Sequence, residues 1–238
     1  MGDSRDTLLV RSWNLFHGNA HPPDRRSRLE AMVRLVTADR PDLVCLQEVP
    51  PWALPELAWW SGMSARWVVT RPPRLPGPLA GAVTRLHNGL FRSGLSGQAN
   101  AILLAPEHVP RAHRSLRIDT GRGEPRYCHL VRLDRLLVAN LHASKAGREP
   151  LVPAAEVARA EAFVVEAAGA LPCVLGGDFN VRPQHLTQLE GWSAPATGID
   201  HVLVRGLPAS PVVVWPEERR RQNGVVLSDH APVEVRVG

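Results

Sequence analysis

The sequence is poor in several residue types, and each shortage excludes a class of protein. Its three cysteines, Cys45, Cys128 and Cys173, lie in or beside apolar segments at spacings that match no zinc pattern, so we expect buried thiols. No apolar run approaches the length of a bilayer span. The first six residues lack the basic region and apolar stretch of a signal peptide. We therefore expect a cytoplasmic protein with no stable membrane insertion.

Lysine is nearly absent as well. Only Lys145 occurs among the 28 basic residues, so the net charge of +5 at pH 7 comes almost wholly from arginine. We attribute this excess to coding bias at least as much as to function, although arginine suits bidentate recognition of phosphate. The charge indicates an anionic partner, but it does not distinguish DNA, RNA, lipid head groups and nucleotides.

The overall composition is that of a globular protein. The 238 residues are 44% hydrophobic and 21% charged, values that indicate neither disorder nor a membrane protein. Two domains in a chain of this length would each be small for their class. We therefore predict one domain over residues 1–238, and the sequence indicates no protein partner.

Strand patterns outnumber helix patterns. One helix is predicted after the capping-box pattern that begins at Ser27 and runs to about Asp39, and a second from Pro153 to about Ala168. Two packed sheets with helices outside fit this balance better than a doubly wound sheet. The proline- and glycine-rich stretch 72–97 predicts a long irregular loop that faces the substrate. Strands are predicted over residues 8–14, 42–48, 99–104, 115–118, 128–133, 136–140, 173–175, 198–204, 212–215 and 233–235.

The stretch Leu175-Gly176-Gly177-Asp178-Phe179-Asn180 closes one of these strands. Its glycine pair lets the backbone turn sharply and leaves Asp178 and Asn180 at the C-terminal end of the strand. A carboxylate and an amide placed in this way can hold a water molecule beside a phosphate oxygen, as hydrolysis requires. The alternative is an Asx-rich turn that only ends the strand, and this stretch alone does not decide between them.

Other strand ends carry similar polar residues. Carboxylates together with amides form an oxygen-rich site that favours Mg²⁺ or Mn²⁺ over zinc. Histidines next to carboxylates can bind or protonate a phosphate. Each residue taken alone also has a structural explanation, such as a histidine near the core or a strand cap. Chance is a poor explanation for all of them standing at strand ends. Its members are Asn14, Glu48, His142, Asp178, Asn180, Asp200, Asp229 and His230.

Six short motifs contain these residues, and their order along residues 8–236 resembles the endonuclease/exonuclease/phosphatase superfamily, the DNase I-like proteins. The resemblance implies a four-layered α/β sandwich of two packed mixed β-sheets flanked by helices. It also implies hydrolysis of phosphodiesters or phosphomonoesters with a divalent cation, Mg²⁺ or Mn²⁺. The motifs are Ser12-Trp13-Asn14, Leu46-Gln47-Glu48, Asn140-Leu141-His142, Gly177-Asp178-Phe179-Asn180, Ile199-Asp200-His201 and Ser228-Asp229-His230.

The same resemblance implies a role for each residue around the metal. Glu48 resembles the principal metal ligand of the superfamily, with Asn14 beside it and Asp229 nearby. Asp178 resembles the residue that orients or deprotonates the attacking water. Asn180 would help to hold the phosphate.

Phosphate contacts are implied in the same way. His230 would contact a phosphoryl oxygen and stabilise its growing charge, while Asp200 orients the imidazole ring. His142 would contact a second oxygen. Arg126 resembles a phosphate-contacting arginine, and Asn100 a strand residue that lines the site.

The function predicted from the sequence is a Mg²⁺- or Mn²⁺-dependent phosphodiesterase that acts on DNA or RNA. An abasic-site repair enzyme is disfavoured, because such members carry a tyrosine where this chain has His142. A phospholipid or a small phosphorylated metabolite is the alternative substrate. A non-catalytic scaffold is a weaker alternative, because a binding module has no need of a water-activating carboxylate beside a metal.

Two further segments bear on the substrate. Trp52, Trp59, Trp60 and Trp67 are expected to pack in the core rather than to stack on bases, although one exposed tryptophan would change that. An exposed patch of Trp52, Trp59 and Trp60 would favour a lipid. The run Arg219-Arg220-Arg221 is either a contact for a nucleic-acid backbone or a solvated basic loop.

Overall fold

A computed structural model describes residues 7–24, 26–86, 95–121, 123–147, 149, 151–186 and 189–238. Among these residues no helix has both the length and the apolar character needed to cross a membrane. The α-helices in chain order are α1 (Leu29–Thr37), α2 (Leu57–Ser61), α3 (Gly77–Leu86) and α4 (Leu151–Ala168). The strands are β1 (Leu8–Asn14), β2 (Ala20–His21), β3 (Leu43–Val49), β4 (Ser64–Arg71), β5 (Gln98–Leu104), β6 (Ala112–Arg117), β7 (Tyr127–Arg132), β8 (Leu137–His142), β9 (Cys173–Asp178), β10 (Asp200–Arg205), β11 (Val213–Val214), β12 (Arg221–Gln222), β13 (Val225–Leu227) and β14 (Val233–Val237).

Two mixed sheets form the centre of the molecule. The first has the order β11-β14-β1-β3-β5-β4, and the second has the order β10-β9-β8-β7-β6. In each sheet one adjacent pair is parallel, β1 with β3 and β8 with β9, and the other pairs are antiparallel. A long crossover with a helix joins each parallel pair, as parallel neighbours require. The small sheet β12-β13-β2 lies apart from both.

Strand alternation sorts the side chains into layers. In β1, Val10 belongs to the core between the two sheets, whereas Trp13 belongs to the core under α1. The outer face of the second sheet packs against α4 through residues such as Leu175 and Val164. The layers are therefore helix, sheet, sheet and helix, which confirms the predicted four-layered α/β sandwich.

A polar bridge fixes the two sheets relative to each other below the strand ends. The Asn140 side chain in β8 donates to the carbonyl oxygens of Leu46 and Ala101 in the opposite sheet, both at 2.9 Å. Gln47 in turn donates to Asn140 Oδ1 at 2.8 Å and to Ser12 Oγ at 3.1 Å. Buried amides need such partners, so this network specifies one relative position of the sheets.

Several local predictions are confirmed and others are wrong. The hairpin of β7 and β8 forms as predicted, and all three cysteines are buried free thiols. The capping box is wrong, since α1 begins at Leu29 after Arg28, whose side chain makes no capping hydrogen bond. The predicted loop over 72–97 is wrong in part, because Gly77–Leu86 is helical with Pro78 in its first turn, where proline is tolerated. Residues 87–94 of that stretch lie outside the described residues.

The arginine run is part of the protein framework. Arg220 is buried, and its Nη1 donates to the carbonyl oxygens of Leu227 and Ser228 at 3.0 and 2.8 Å. The Arg219 guanidinium lies 3.5 Å from the centre of the Trp215 ring. Buried Arg220 therefore fits neither earlier interpretation, whereas Arg219 and Arg221 are exposed, as expected for a solvated run. Instead, Arg220 supports the turn that leads into the site histidine.

Candidate active site

The sheet registers bring the polar strand ends together. Asn14, the last residue of β1, pairs with Gln47 in parallel β3, and Glu48 follows Gln47. The side chains of Asn14 and Glu48 therefore lie at one edge of the first sheet. In the second sheet Asp178 pairs with His142 on one side and with Asp200 on the other. Asn14 Nδ2 donates to Asp178 Oδ2 at 3.0 Å, and this bond joins the two edges.

Glycines allow this close approach. A Cβ atom on Gly177 would lie 2.1 Å from the carbonyl oxygen of Leu141 in β8. A Cβ atom on Gly176 would lie 3.1 Å from Cys45 Sγ in the opposite sheet. The glycine pair therefore lets β9 pack against both neighbours and deliver Asp178 between them.

Asp178 is buried in a shell of donors and charges. Its Oδ1 accepts the Asn180 backbone N–H at 2.9 Å, and its Oδ2 lies 3.5 Å from His142 Nε2 and 3.8 Å from His230 Nε2. Burial and the nearby charge of Asp200 raise the pKa of Asp178 to about 7. The carboxylate can therefore take up and release a proton near neutral pH, as a general base must.

His230 is held as a cation. Its Nδ1 donates to Asp200 Oδ2 at 2.8 Å, which leaves Nε2 directed toward Asp178. Burial opposes the charged form, but the hydrogen bond and charge of Asp200 prevail and raise the pKa of His230 to about 10. Ser228 Oγ accepts the backbone N–H of His230 at 3.1 Å, and Trp13 Nε1 donates to the His230 carbonyl oxygen at 2.9 Å. The imidazolium is thus oriented at both the ring and the backbone.

His142 has the opposite charge state. Burial, followed by the charge of Arg126, holds the pKa of His142 well below its ordinary value, so the ring is neutral. Gln98 Nε2 lies 3.0 Å from His142 Nδ1, and Arg126 Nη1 lies 3.2 Å from the same atom. Both partners are donors, so Nδ1 accepts and the proton is on Nε2, which faces Asp178.

Glu48 lies close to two histidines of the site. Its Oε2 lies 3.3 Å from His17 Nε2, and its Oε1 lies 4.0 Å from His142 Nε2. Burial favours the neutral acid, but His17, His142, Lys145 and a hydrogen bond from Asn14 lower the pKa of Glu48 to about 2. The residue adopts a φ of 55°, a left-handed conformation that is strained for glutamate. Glu48 is therefore an ionised carboxylate that the fold holds in a fixed direction.

The remaining predicted residues lie around this centre with different surroundings. Asp229 is exposed beside His230, and Asn180 donates its side-chain amide to the Ala143 carbonyl oxygen at 2.9 Å. Arg126 is bound to His142 and, at 3.3 Å, to Glu124 Oε2. Asn100 is buried under the site, where Nδ2 lies 3.4 Å from the Tyr127 carbonyl oxygen. All ten predicted residues thus lie at or directly beneath one end of the sandwich, and the roles assigned to them stay predictions.

Three further residues at the site were not predicted from the sequence. His17 follows Asn14 by three residues, within the loop that leaves β1, and approaches Glu48. Gln98 opens β5 two residues before Asn100 and orients His142. Lys145 follows His142 by three residues and acts electrostatically on Glu48. In each case the only sequence signal was proximity to a predicted residue.

The fold and these strand-end acids and histidines belong to a known class of protein. A model of the Endonuclease/Exonuclease/phosphatase family matches residues 12–230, and the chain belongs to that family, whose members hydrolyse phosphoesters. No curated protein matches the chain significantly.

Solved structures show the same fold at low sequence identity. A functionally unknown conserved protein from Enterococcus faecalis V583 is 16% identical with a TM-score of 0.73, covering 97% of this chain and 99% of that one. Truncated TDP2 from Caenorhabditis elegans is 15% identical with a TM-score of 0.70, covering 97% of each chain. A mannosyl-6-phosphatase from Bacteroides thetaiotaomicron VPI-5482 is 16% identical with a TM-score of 0.65, covering 97% of this chain and 99% of that one.

The family depends on a divalent metal, and the residues of this chain fit one. Glu48 offers an ionised carboxylate, and Asn14 has an amide oxygen that accepts the Phe16 backbone N–H at 3.0 Å and retains a second lone pair. Both are donor types that Mg²⁺ and Mn²⁺ accept. Asp178 and Asp200 add two carboxylates close by, whereas cationic His230, hydrogen-bonded through Nδ1 to Asp200, has no free ring nitrogen to offer a metal. The excess of oxygen donors over nitrogen donors agrees with a hard cation.

Proposed function

We propose that the chain is a Mg²⁺- or Mn²⁺-dependent phosphodiesterase that hydrolyses DNA or RNA through an activated water. The observation that carries this proposal is the pairing of Asp178, with a pKa of about 7, and cationic His230, whose Nε2 lies 3.8 Å from Asp178 Oδ2. One group accepts a proton at neutral pH while the other presents a positive charge. Ester hydrolysis by water requires both, and a scaffold requires neither.

Each residue then has a defined task. Asp178 accepts the proton of the attacking water as the new bond to phosphorus forms. His230 donates a hydrogen bond to a phosphoryl oxygen, on which negative charge grows as the water attacks phosphorus. The electron pair of the breaking bond then goes to the leaving oxygen. Neutral His142 donates through Nε2 to a second oxygen. These donors are already oriented, so little reorganisation is needed during the reaction.

Glu48 and Asn14 would hold the divalent cation, with Asp229 nearby. When bound, the cation would supply positive charge to the phosphate oxygens and lower the pKa of a bound water. His17 would support this arrangement, because its Nε2 lies 3.3 Å from Glu48 Oε2 and restrains the carboxylate.

The choice of nucleic acid as substrate rests on weaker support. The basic charge of the chain suits a polyanion, and TDP2 is among the similar structures. A phosphomonoester is the second candidate, because a mannosyl-6-phosphatase shares the fold. The expectation of core packing is wrong for Trp59, which is 75% exposed. A lipid is nevertheless less supported, since Trp52 and Trp60 pack against the core and the three form no exposed patch. We retain one domain over residues 1–238 and a cytoplasmic location as expectations.

A hydrolysis screen tests the proposal. Purified protein would be assayed with Mg²⁺ and with Mn²⁺ on single- and double-stranded DNA, RNA, a generic phosphodiester, a phosphomonoester and phospholipids. We expect metal-dependent cleavage of nucleic acid that falls at least about 100-fold in Asp178→Asn. Asp134→Asn is the matched control, because it removes an exposed carboxylate in the turn between β7 and β8. Chelator-insensitive cleavage, or full activity in Asp178→Asn, would refute the mechanism, and cleavage confined to another substrate would refute the assignment to nucleic acid.

A further inference from the structure

The loop that follows β8 carries the only lysine of the chain to the rim of the site. Lys145 is exposed and makes no hydrogen bond or ion pair with any residue that the structure describes. It follows by three residues His142, whose Nε2 lies 4.0 Å from Glu48 Oε1. A positive charge without a described ion-pair partner therefore follows directly on the strand end that carries His142.

Two anchors fix the backbone just before this lysine. Buried Glu156 in α4 accepts the Ser144 backbone N–H at 2.6 Å through Oε2 and the Ser144 hydroxyl at 2.8 Å through Oε1. The Ala143 backbone N–H donates to the Asp178 carbonyl oxygen at 2.9 Å, and the Ala143 carbonyl accepts the Asn180 side chain at 2.9 Å. Glu156 is 1% exposed, and both of its carboxylate oxygens accept hydrogen bonds from Ser144. Its main role is therefore to hold this loop.

Two arginines near this rim already have partners. Arg126 is bound to His142 and Glu124, and Arg71 Nη1 lies 3.6 Å from Glu124 Oε1. Each of these arginines would have to leave a carboxylate before it could serve an incoming phosphate. Lys145 would break no ion pair when it binds a phosphate, since no described carboxylate pairs with it.

We propose that Lys145 binds a non-bridging oxygen of the substrate phosphate beside Glu48, and that Glu156, acting through Ser144, is the residue that positions it. The inference rests on the proposed function of the same site and adds two residues to it. A compact ammonium on a flexible stem fits here, because it can reach one oxygen without the planar geometry that guanidinium requires. Lys145 contacts the substrate, whereas Glu156 is a positioning residue.

Binding can be tested without turnover, because Lys145 is the only lysine in the sequence. Reductive methylation with ¹³C-formaldehyde would give one dimethyl-lysine NMR signal besides that of the terminal amine, and Lys145→Arg would assign it. We expect the lysine signal to shift when inorganic phosphate is added to the metal-free protein. In Glu156→Gln we expect at least about tenfold more phosphate to be needed for the same shift. An unshifted signal at saturating phosphate would overturn the proposal.

Kinetics on the substrate found in the screen provide the second test. Lys145→Ala should raise KM about 10- to 100-fold with a smaller change in kcat, as expected for a contact made with both substrate and transition state. Lys145→Arg should recover part of the loss. Arg135→Ala is the control, since it removes one positive charge from the β7–β8 turn at the far end of the hairpin, and it should leave KM unchanged.

A double-mutant cycle separates positioning from general destabilisation. If Glu156 acts through Lys145, the variant with both Glu156→Gln and Lys145→Ala should have the KM of Lys145→Ala alone. Multiplicative losses would overturn the positioning role. The two proposals also fail separately: a phosphate-dependent shift without turnover on any ester refutes the enzyme function alone, whereas turnover with an unshifted lysine refutes this inference alone.

Discussion

Replacing Gly177 by alanine should damage the fold far more than the same change at Gly176. The added Cβ at Gly177 would lie 2.1 Å from the Leu141 carbonyl oxygen and 3.0 Å from its nitrogen, whereas ordinary contact begins at 3.4 Å. The obstacle is backbone of the neighbouring strand, so β8 and β9 must separate. Overpacking and the φ of 151°, which side chains rarely adopt, together cost about 2–6 kcal/mol. That is a large part of the stability of a typical domain, about 5–15 kcal/mol.

The neighbouring glycine is a matched control. At Gly176 the new atom would meet Cys45 Sγ at 3.1 Å and Ser12 Cβ at 3.6 Å, and these side-chain atoms can shift by a few tenths of an ångström. We expect a cost of about 1 kcal/mol there. Urea unfolding followed by tryptophan fluorescence measures both variants against the parent protein. Equal midpoints for the two variants would refute the argument that the strand backbone limits this position.

The other predictions concern charge. Asp200→Asn removes the acceptor that raises the pKa of His230 from its ordinary 6.5 to about 10, and it also removes a charge that raises the pKa of Asp178. Both limbs of the pH profile of kcat/KM should therefore move to lower pH. An alkaline limb that does not move would contradict the role of the Asp200–His230 pair. In the parent protein, the stabilisation that His230 gains from its raised pKa should be complete below about pH 6.5 and lost as the pH rises through about 10, which urea titrations across that range would detect. Glu48→Gln should raise the Mg²⁺ or Mn²⁺ concentration for half-maximal thermal stabilisation at least about tenfold, and an unchanged midpoint would exclude Glu48 as a ligand. Arg11→Met should lower the free energy of unfolding in urea by about 3 kcal/mol, because it removes the guanidinium that lies 2.9 Å from partly buried Glu234. A decrease of less than about 1 kcal/mol would mean that packing replaces the ion pair.

Much of the fold could be predicted because its signals are local. Alternating apolar residues identified most strands, and the hairpin and the helix near 153–168 followed from periodicity. The helix within 72–97 was missed because proline and glycine near its start resemble a loop when burial is unknown. Arg220 was misjudged for a related reason, since nothing near it in sequence indicates that the carbonyl oxygens of Leu227 and Ser228 will fold back onto it.

The sequence by itself determined which residue types stand at the strand ends, because short segments encode both strand periodicity and glycine turns. The tertiary structure alone decided what those residues are chemically. Asp178 acquires a pKa of about 7 only when β8, β9 and β10 bury it near Asp200, and His142 becomes a neutral donor only beside Gln98 and Arg126. Such effects depend on burial and on distances between segments far apart in the chain, so no local pattern encodes them. The same holds for Lys145, whose one feature in the sequence is that it is the only lysine.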